Sequence, residues 1–539
     1  MTQSQIVDPA SVKSRIFQLN RPVYLIENAG IPQVSADCPD LFHDVHDREP
    51  IPIIPTEDRR AQSAYAPAFE LRNLGDAGFC DDYGLTYPYL VGAMANGITS
   101  SRMTEAIGKS GMLAFFGSAG LSPHEIEGVI DYLSARLSKR PYGFNLIHSP
   151  DEPQLEARTV DLYLRKDVRL VSASAYLNIT RSLARYRIQN IHRDEKGRIV
   201  APNRIIAKVS RAEVAAYFFS PPPDRLLQNL VAHGEITSEQ AQLASQIPMA
   251  QDLTAEADSG GHTDNRPALA LLPTIIALRD RMQAKYNYSQ PLRVGIAGGI
   301  ATPIAAGAGF AMGAAYILTG SVNQACVEAG TSETVRQMLA ETKQADVTMA
   351  PAADMFEMGV KVQVLKRGTM FAMRGTKLYE IYRKYDSVNR IPTTERDMIE
   401  KKIFHRSFDE VWRQTSRYFQ ERDVSRIHKA EKNPKYKMAL IFRWYLGQAS
   451  HWANRGEASR KIDYQIWCGP AMGAFNEWTR GSFLEKAENR DVVTVAMNLL
   501  YGAGLTQRLQ LIRSQGVQLP PEMRRIKPLP ISEIKKRIA

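Results

Sequence analysis

Between residues 85 and 340, short β-prone runs alternate eight times with stretches of helical spacing, and no other feature of the chain limits its fold as strongly. The runs are 89–94, 113–117, 142–147, 170–174, 204–209, 249–254, 292–297 and 315–319. Between them, segments such as SRMTEAIGKSG, SPHEIEGVIDYLSARLS, QLEARTVDLYLRKD, RAEVAAYFFS and ALALLPTIIALRDRMQAKY carry apolar residues near helical spacing. Each strand and helix must return the chain to the start of a parallel neighbour, and eight such units can close the sheet on itself. The expected fold class is therefore α/β, a (β/α)8 TIM barrel over residues 76–375. An open doubly wound sheet is the alternative, because a longer irregular stretch separates the fourth and fifth runs.

With 539 residues, the chain is longer than the roughly 250 that one barrel needs. Residues 1–75, where VYLIENAG precedes several Pro, Asp and His, read as an irregular N-terminal segment with one or two strands. After 376 the alternation yields to long charged, aromatic-bearing stretches such as MIEKKIFHRSFDEVWRQTSRYFQERDV and VVTVAMNLLYGAGLTQRLQLIRSQ. Residues 376–539 are thus expected to form a helical C-terminal domain. All five tryptophans lie there, and so does the basic excess: 31 Lys and Arg against 18 Asp and Glu, compared with 37 against 39 elsewhere. An insertion at about 220–248, with a capping box at Thr237, Ser238, Glu239 and Gln240, is expected to carry a short helix and to form part of a lid.

A composition of 44% hydrophobic and 23% charged residues excludes disorder or coiled coil as a description of the whole. Residues 294–327 carry no charge, a run longer than the roughly 20 residues that span a bilayer, but Pro303 and many glycines break it. A buried strand, helix, strand unit accounts for this run, and no membrane association is expected. The four cysteines, Cys38, Cys80, Cys326 and Cys468, form no CxxC pair, which argues against a disulfide framework or metal cluster and for a reducing compartment. The N-terminus, MTQSQIVDPASVKSR, shows no signal peptide, so the expected location is cytoplasmic. Bases and acids interleave in the tail, as in IEKKIFHRSFDEVWRQ, which marks a solvated helix; no nucleic-acid partner is expected despite the net charge of +11.

In a barrel the chemistry sits where the strands end. Small and polar residues gather there: Gly92, Ala93, Met94, Ala95 and Asn96 after the first run, Gly117 to Ala119 after the second, then Asn145, Ser172 to Ser174 and Lys208. Any one of these could be an ordinary turn; together they suit a planar cofactor lying against backbone. GIAGGIATP places Gly298 and Gly299 after the seventh run, and LTGSV places Gly320 and Ser321 after the eighth, where free backbone N–H groups can hold a phosphate. Gly307, Gly309 and Gly313 miss the GxGxxG spacing and read instead as a close helix contact. The sixth tip carries Glu256, Asp258, Ser259, Gly260, Gly261, His262 and Asp264, and His262 is the natural proton donor or acceptor near neutral pH. A structural reading would make it a loop histidine capping the next helix. His43 and His46, with Asp44 and Asp47, lack a third ligand at metal spacing; no metal site is expected. His124 and His148 stand beside loops with no partner visible, and Cys326 reads as an inert core thiol.

At GAMANGITS, YGFNLI, AEADSGGHTD, GIAGGIATP and LTGS the chain resembles the nitronate monooxygenase and FMN-dependent enoyl reductase superfamily of barrels, over roughly residues 80–330. VQVLKRGTMFAMRGTKLYEIY and DYQIWCGPAMGAFNEW resemble the PfaD family, the trans-acting enoyl reductases of polyunsaturated fatty acid and polyketide synthases. The resemblance implies FMN in the barrel mouth, NADPH as reductant, and a trans-2-enoyl chain on an acyl carrier protein as substrate. It implies that Ala93, Met94 and Ala95 touch the flavin ring and that Asn145 and Lys208 bond its polar edge or ribityl chain. Asp258, Ser259, Gly260 and Gly261 join the cofactor site, and Ala297, Gly298, Gly299, Gly320 and Ser321 hold the phosphate. His262 matches the family's active-site histidine, either protonating the α-carbon or polarising the thioester. The loop reads DSGGH where small enoyl reductases often have EAGGH, so Asp258 stands at a glutamate position with a shorter reach.

One phosphate site and no adenosine-binding fingerprint favour FMN over FAD. A nitronate-oxidising or quinone-reducing flavoenzyme, and a nonenzymatic synthase assembly protein, are the rival readings. The expected partners are acyl carrier protein domains, docked by the basic tail through residues such as Lys432, Lys435 and Lys437; the tryptophan-rich tail equally suits a homodimer.

Overall fold

The computed structural model describes residues 9–28, 31–35, 61–148, 153–420 and 422–539. Cys38, His43, Asp44, His46 and Asp47 lie outside them. Eight parallel strands close into a barrel in chain order: Tyr89–Val91, Leu113–Phe116, Gly143–Ile147, Leu170–Ser174, Arg204–Val209, Asp252–Glu256, Arg293–Ala297 and Ile317–Thr319. The eighth pairs with the first, Ile317 opposite Tyr89, which rules out the open sheet. The irregular stretch before the fifth strand holds helix Arg181–Ile188 and a small hairpin, His192–Arg193 with Ile199–Val200. The uncharged run folds as strand Arg293–Ala297, helix Pro303–Ala311 and strand Ile317–Thr319. Among the described residues no helix is long and apolar enough to cross a membrane.

Helix Ala77–Tyr83 plugs the bottom of the barrel, stacking Phe79 on Tyr316 at 4.4 Å between ring centroids. Beneath the strands, Arg293 ties Asp76 and Asp82 of this region to Asp252 of the sixth strand, and the Tyr83 hydroxyl donates to Asp252. With the lower end closed by packing and ion pairs, ligands have only the upper end.

Three parts depart from expectation. The N-terminal segment carries three strands rather than one or two, an antiparallel sheet in the order Ile31–Ser35, Val23–Asn28, Ala61–Ala66. Arg508, buried in helix Val492–Ser514, holds this segment by donating to the carbonyls of Ile16, Gln18, Leu19, Arg21 and Pro67. The 220–248 insertion forms helices Asp224–Ala232 and Ser238–Ala244, the second opened by the capping box at Thr237 and Gln240, but it is no lid. It connects the end of a barrel helix to the start of the sixth strand, which puts it at the end opposite the mouth. The sixth strand itself begins three residues later than expected, because Met249 and Ala250 donate to the Ser220 and Phe218 carbonyls instead of joining the ladder.

A second, smaller sheet follows the barrel: Gly261–His262, Lys361–Leu365 and Val347–Pro351, antiparallel, with His262 opposite Val362. Helices Phe371–Lys384, Phe408–Gln420 and Pro434–Arg455 then build a second core around Phe356, Phe404 and Phe442, and helix Val424–Lys432 packs beside it through Ala430 against Phe419 and Leu440. The chain finally returns to the barrel, where helix Val492–Ser514 packs on Pro303–Ala311. Contact is close because Gly307 faces Thr506 and Gly502 faces Pro303, each at a distance that leaves little or no room for a Cβ.

Candidate active site

The upper ends of the strands open into a cavity of about 1140 Å3. At the first tip, the Thr99 hydroxyl donates to the Gly92 carbonyl at 2.7 Å and accepts from the Met94 N–H at 3.0 Å, stapling the GAMANGITS loop into a tight turn. A Cβ at Gly117 would strike the Met94 carbonyl, so the neighbouring tip must be glycine for this loop to seat. Ala93 and Ala95 line the cavity with little side-chain bulk, on either side of Met94.

Asn145, on the third strand, is buried and fixed through both carbonyl oxygens. Its backbone oxygen accepts from Ser118 and Tyr163, and its side-chain oxygen from Ser174 at 3.0 Å, which leaves the amide N–H2 as a donor at the cavity wall. Lys208, on the fifth strand, is paired with Glu256 of the sixth at 2.9 Å, both facing the cavity. Asp264 accepts from Ser210 and Arg211; the Arg211 hydrogen bond outweighs burial and holds its carboxyl down to about 2.

Gly298 and Gly299 both adopt left-handed φ, 84° and 76°, which only glycine takes without strain. A Cβ at Gly298 would lie 2.6 Å from the Ala257 carbonyl, whereas the Cβ positions of Gly299 and Gly320 have nothing within 4 Å. Bare backbone therefore faces open space after both strands, with Ala297 and Ser321 alongside. Gly260 is pressed against Cys468 and Gly469, a Cβ there meeting their backbone at 2.9 Å, and the Gly469 N–H donates to Ser321 Oγ at 3.2 Å. The DYQIWCGP segment of the tail thus braces the sixth and eighth tips together. Ser259 Oγ, in the same wall, is buried without a protein partner. An orphaned hydroxyl beside an open glycine cradle fits a phosphorylated cofactor such as FMN.

His262 faces the cavity, with Nε2 3.2 Å from Asp354 Oδ1. Burial opposes charge on the ring, but the hydrogen bond and charge of Asp354, with Glu256 beyond, prevail and raise the His262 pKa above its ordinary value. The converse holds for Asp354: burial works against its charge, yet His262 carries its pKa below the usual carboxylate range. Both shifts favour the ionised form of each partner.

Of the residues that the resemblance assigns to the site, the cavity gathers all but Asp258; of the other strand tips read from sequence, Gly117, Ser118, Ser172 and Ala173 do not line it. Asp258 does not line it; its carboxylate accepts from Asn265 and Gln363 and braces the glycine loop from behind. Three features went unforeseen. Asp354 comes from the hairpin after the barrel, and its only sequence signal is a lone acid in PAADMF. His148 does have a partner, Glu156 at 2.9 Å, and stacks on Tyr176 at the cavity wall. The roof comes from the helical region: Leu440, Trp444 and Gly447 from Pro434–Arg455, with Thr415 and Phe419 from Phe408–Gln420. Among the expected docking lysines, Lys435 is not free, since its ammonium is held by the Tyr382 and Tyr385 carbonyls, and Lys437 lies 4.7 Å over the Trp412 ring. Among the described residues no cluster could hold a metal ion. Cys326 is buried, which pushes its thiol pKa far up and makes it inert.

The nitronate monooxygenase family model matches residues 80–378, and that of the inserted helical domain of [acyl-carrier-protein] S-malonyltransferase matches 385–464, the segment that supplies the roof. The crystal structure of the enoyl reductase domain of MlnA, from the macrolactin cluster of Bacillus amyloliquefaciens, is 42% identical and covers 81% of this chain and 99% of its own, with a TM-score of 0.78. Polyketide biosynthesis protein PksE of Bacillus subtilis is 44% identical over 85% of this chain and 61% of its own length. A polyunsaturated fatty acid synthase protein of a Thraustochytrium species is 43% identical over 95% of this chain and 33% of its own. The chain therefore spans a third to three fifths of the length of these curated relatives. Barrel, roof and relatives agree, and the chain belongs to the nitronate monooxygenase family, together with the enoyl reductase domain of MlnA.

Proposed function

We propose that the chain is an FMN-dependent, NADPH-consuming enoyl reductase that saturates the 2,3 double bond of trans-2-enoyl chains on acyl carrier protein domains of a polyunsaturated fatty acid or polyketide synthase. One observation carries the reading: an open glycine cradle and a hydrogen-bonded His262–Asp354 pair share one cavity at the strand tips. Support comes also from the enoyl reductase domain of MlnA and from the synthase proteins among the relatives. The reading assigns 76–375 to the cofactor-binding barrel, 376–539 to the helical domain and 1–75 to an N-terminal segment. It places the protein in the reducing cytoplasm, where buried Cys80, Cys326 and Cys468 stay as thiols.

Bound in the mouth, FMN would supply hydride transfer from NADPH to the β-carbon of the enoyl thioester. Ala297, Gly298, Gly299, Gly320 and Ser321 hold its phosphate, Ser259 adds a hydroxyl, and Gly260 and Gly261 keep the wall low. Asn145 and Lys208 donate to its polar edge or ribityl chain, and Ala93, Met94 and Ala95 form the surface against its ring. Asp354 accepts from His262 Nε2 and leaves Nδ1 for the substrate. From there the imidazolium stabilises negative charge on the thioester oxygen, or delivers the proton to the α-carbon. Trp444, Trp467 and Leu440 exclude water above it.

The purified protein is expected to be yellow and to release FMN on denaturation. Anaerobic NADPH should bleach it, and an enoyl thioester should restore the colour. Colourless protein, FAD in the supernatant, or recovery only with a nitronate or a quinone would each overturn the reading.

A further inference from the structure

The cavity exceeds the roughly 300–1,000 Å3 of an ordinary ligand site, and its upper part is walled by the helical region rather than the barrel. Leu440, Arg443, Trp444, Gly447, Ser450 and His451 share one face of helix Pro434–Arg455 that looks into the chamber, with Leu446 and Gln448 at its flanks. Gly447 is the anomaly on that face. Glycine inside a helix destabilises it relative to alanine, and here neither of the usual reasons for one applies. Its φ is not left-handed, and a Cβ would find no atom within 4 Å. What the missing side chain does is leave the chamber open.

Gly447 also has a fixed place above the candidate site. Ser450, one turn on, accepts from the Asn96 amide at 3.2 Å and donates to the Gly447 carbonyl at 3.1 Å, which ties this turn to the loop carrying Ala93, Met94 and Ala95. Thr415, from the other roof helix, lines the same space; it is 6% exposed, and its hydroxyl has no protein partner. A buried hydroxyl left without a partner in a cavity wall needs a ligand group or a water to satisfy it. Phe419, Leu440, Trp444 and Leu446 give the chamber an apolar side, next to Arg443, Gln448 and His451.

We propose that this chamber holds the acyl chain beyond the reacting double bond, and that Gly447 sets the chain length accepted. The inference rests on the enoyl reductase reading and deepens it: the barrel would supply the chemistry and the helical roof the selectivity. Extended chains pass beneath the bare turn at Gly447, and any side chain there shortens the space.

The test compares crotonyl and dodec-2-enoyl thioesters with the full-length holoprotein and with Gly447→Ala, Gly447→Leu and Gly447→Phe. The expected readout is the ratio of kcat/KM for the long over the short substrate, falling stepwise with side-chain size and by about tenfold or more for Gly447→Phe. Flavin content and circular dichroism report whether each variant is folded. Should the phenylalanine variant not fold, the alanine and leucine variants, both better helix formers than glycine, decide the trend. A ratio that stays constant across the folded variants overturns the inference while leaving the activity intact. If the wild-type holoprotein reduces neither thioester, the functional reading is what fails.

Discussion

His262 and Asp354 stand 92 residues apart in the chain and 3.2 Å apart in space. The histidine was legible from two preceding glycines that clear the space around it; the aspartate was not, since its role depends on a hairpin folding back over the mouth. Their pairing has a pH consequence. Burial alone would lower the His262 pKa, but Asp354 raises it, so the acid form persists to higher pH and enoyl reduction should fall only as the pH rises through that raised value. In Asp354→Asn the hydrogen bond loses its charge, burial dominates, and this limb of the kcat/KM profile should move to lower pH. An unmoved limb would show that Asp354 does not position the acid. In His262→Ala, stopped flow should find flavin reduction by NADPH within a few fold of wild type and the enoyl half-reaction slower by about 10²–10⁴. Equal slowing of both halves would refute the assigned role. A perturbed pKa is not by itself a site marker. Burial pushes the Asp252 carboxyl up to about 6, against the pull of Arg293, yet it lies at the closed end of the barrel and serves the plug.

At the scale of elements, the strands were readable because each is a short apolar run bounded by small polar residues at the mouth. The seventh and eighth tips announced themselves through glycine, and the structure supplies the reason: φ of 84° and 76° at Gly298 and Gly299. A substitution at Gly299 has two separable effects. Gly299→Ala imposes only the left-handed strain, about 1 kcal/mol or somewhat more, since its Cβ position is open. Gly299→Asp adds a negative charge where the phosphate would lie. Flavin occupancy, read from the ratio of visible to ultraviolet absorbance after dialysis, should fall about tenfold further in the aspartate than in the alanine variant. Equal occupancy in the two would move the phosphate elsewhere.

For the whole molecule, the basic excess after residue 376 is real but unevenly available. Lys435 and Lys437 are committed to carbonyls and an aromatic ring, while Lys432 is exposed and Arg417 is exposed at the cavity rim. A substrate tethered to an acidic carrier must be delivered by contact, and screening over about 8 Å at physiological salt should weaken that delivery. Reversing charge at Lys432 is therefore expected to raise the apparent KM for a carrier-bound enoyl chain and to leave a free enoyl thioester nearly unaffected. Identical responses from both substrates, or no response to salt, would make the region purely structural.

The barrel, the order of its strands and the glycine and histidine positions at its mouth could all be read from the residues alone, because they follow from local periodicity and from conformations that few residue types can adopt. What closes the mouth emerged only with the folded chain. The insertion that local signals made a lid lies at the wrong end, the roof comes from helices more than a hundred residues beyond the sixth strand, and Asp258 turned out to be a brace behind the wall. Long-range pairings such as Asn96 with Ser450 and Gly260 with Gly469 leave no periodic trace. They arise when two separately built cores meet, and nothing in either segment alone specifies the partner.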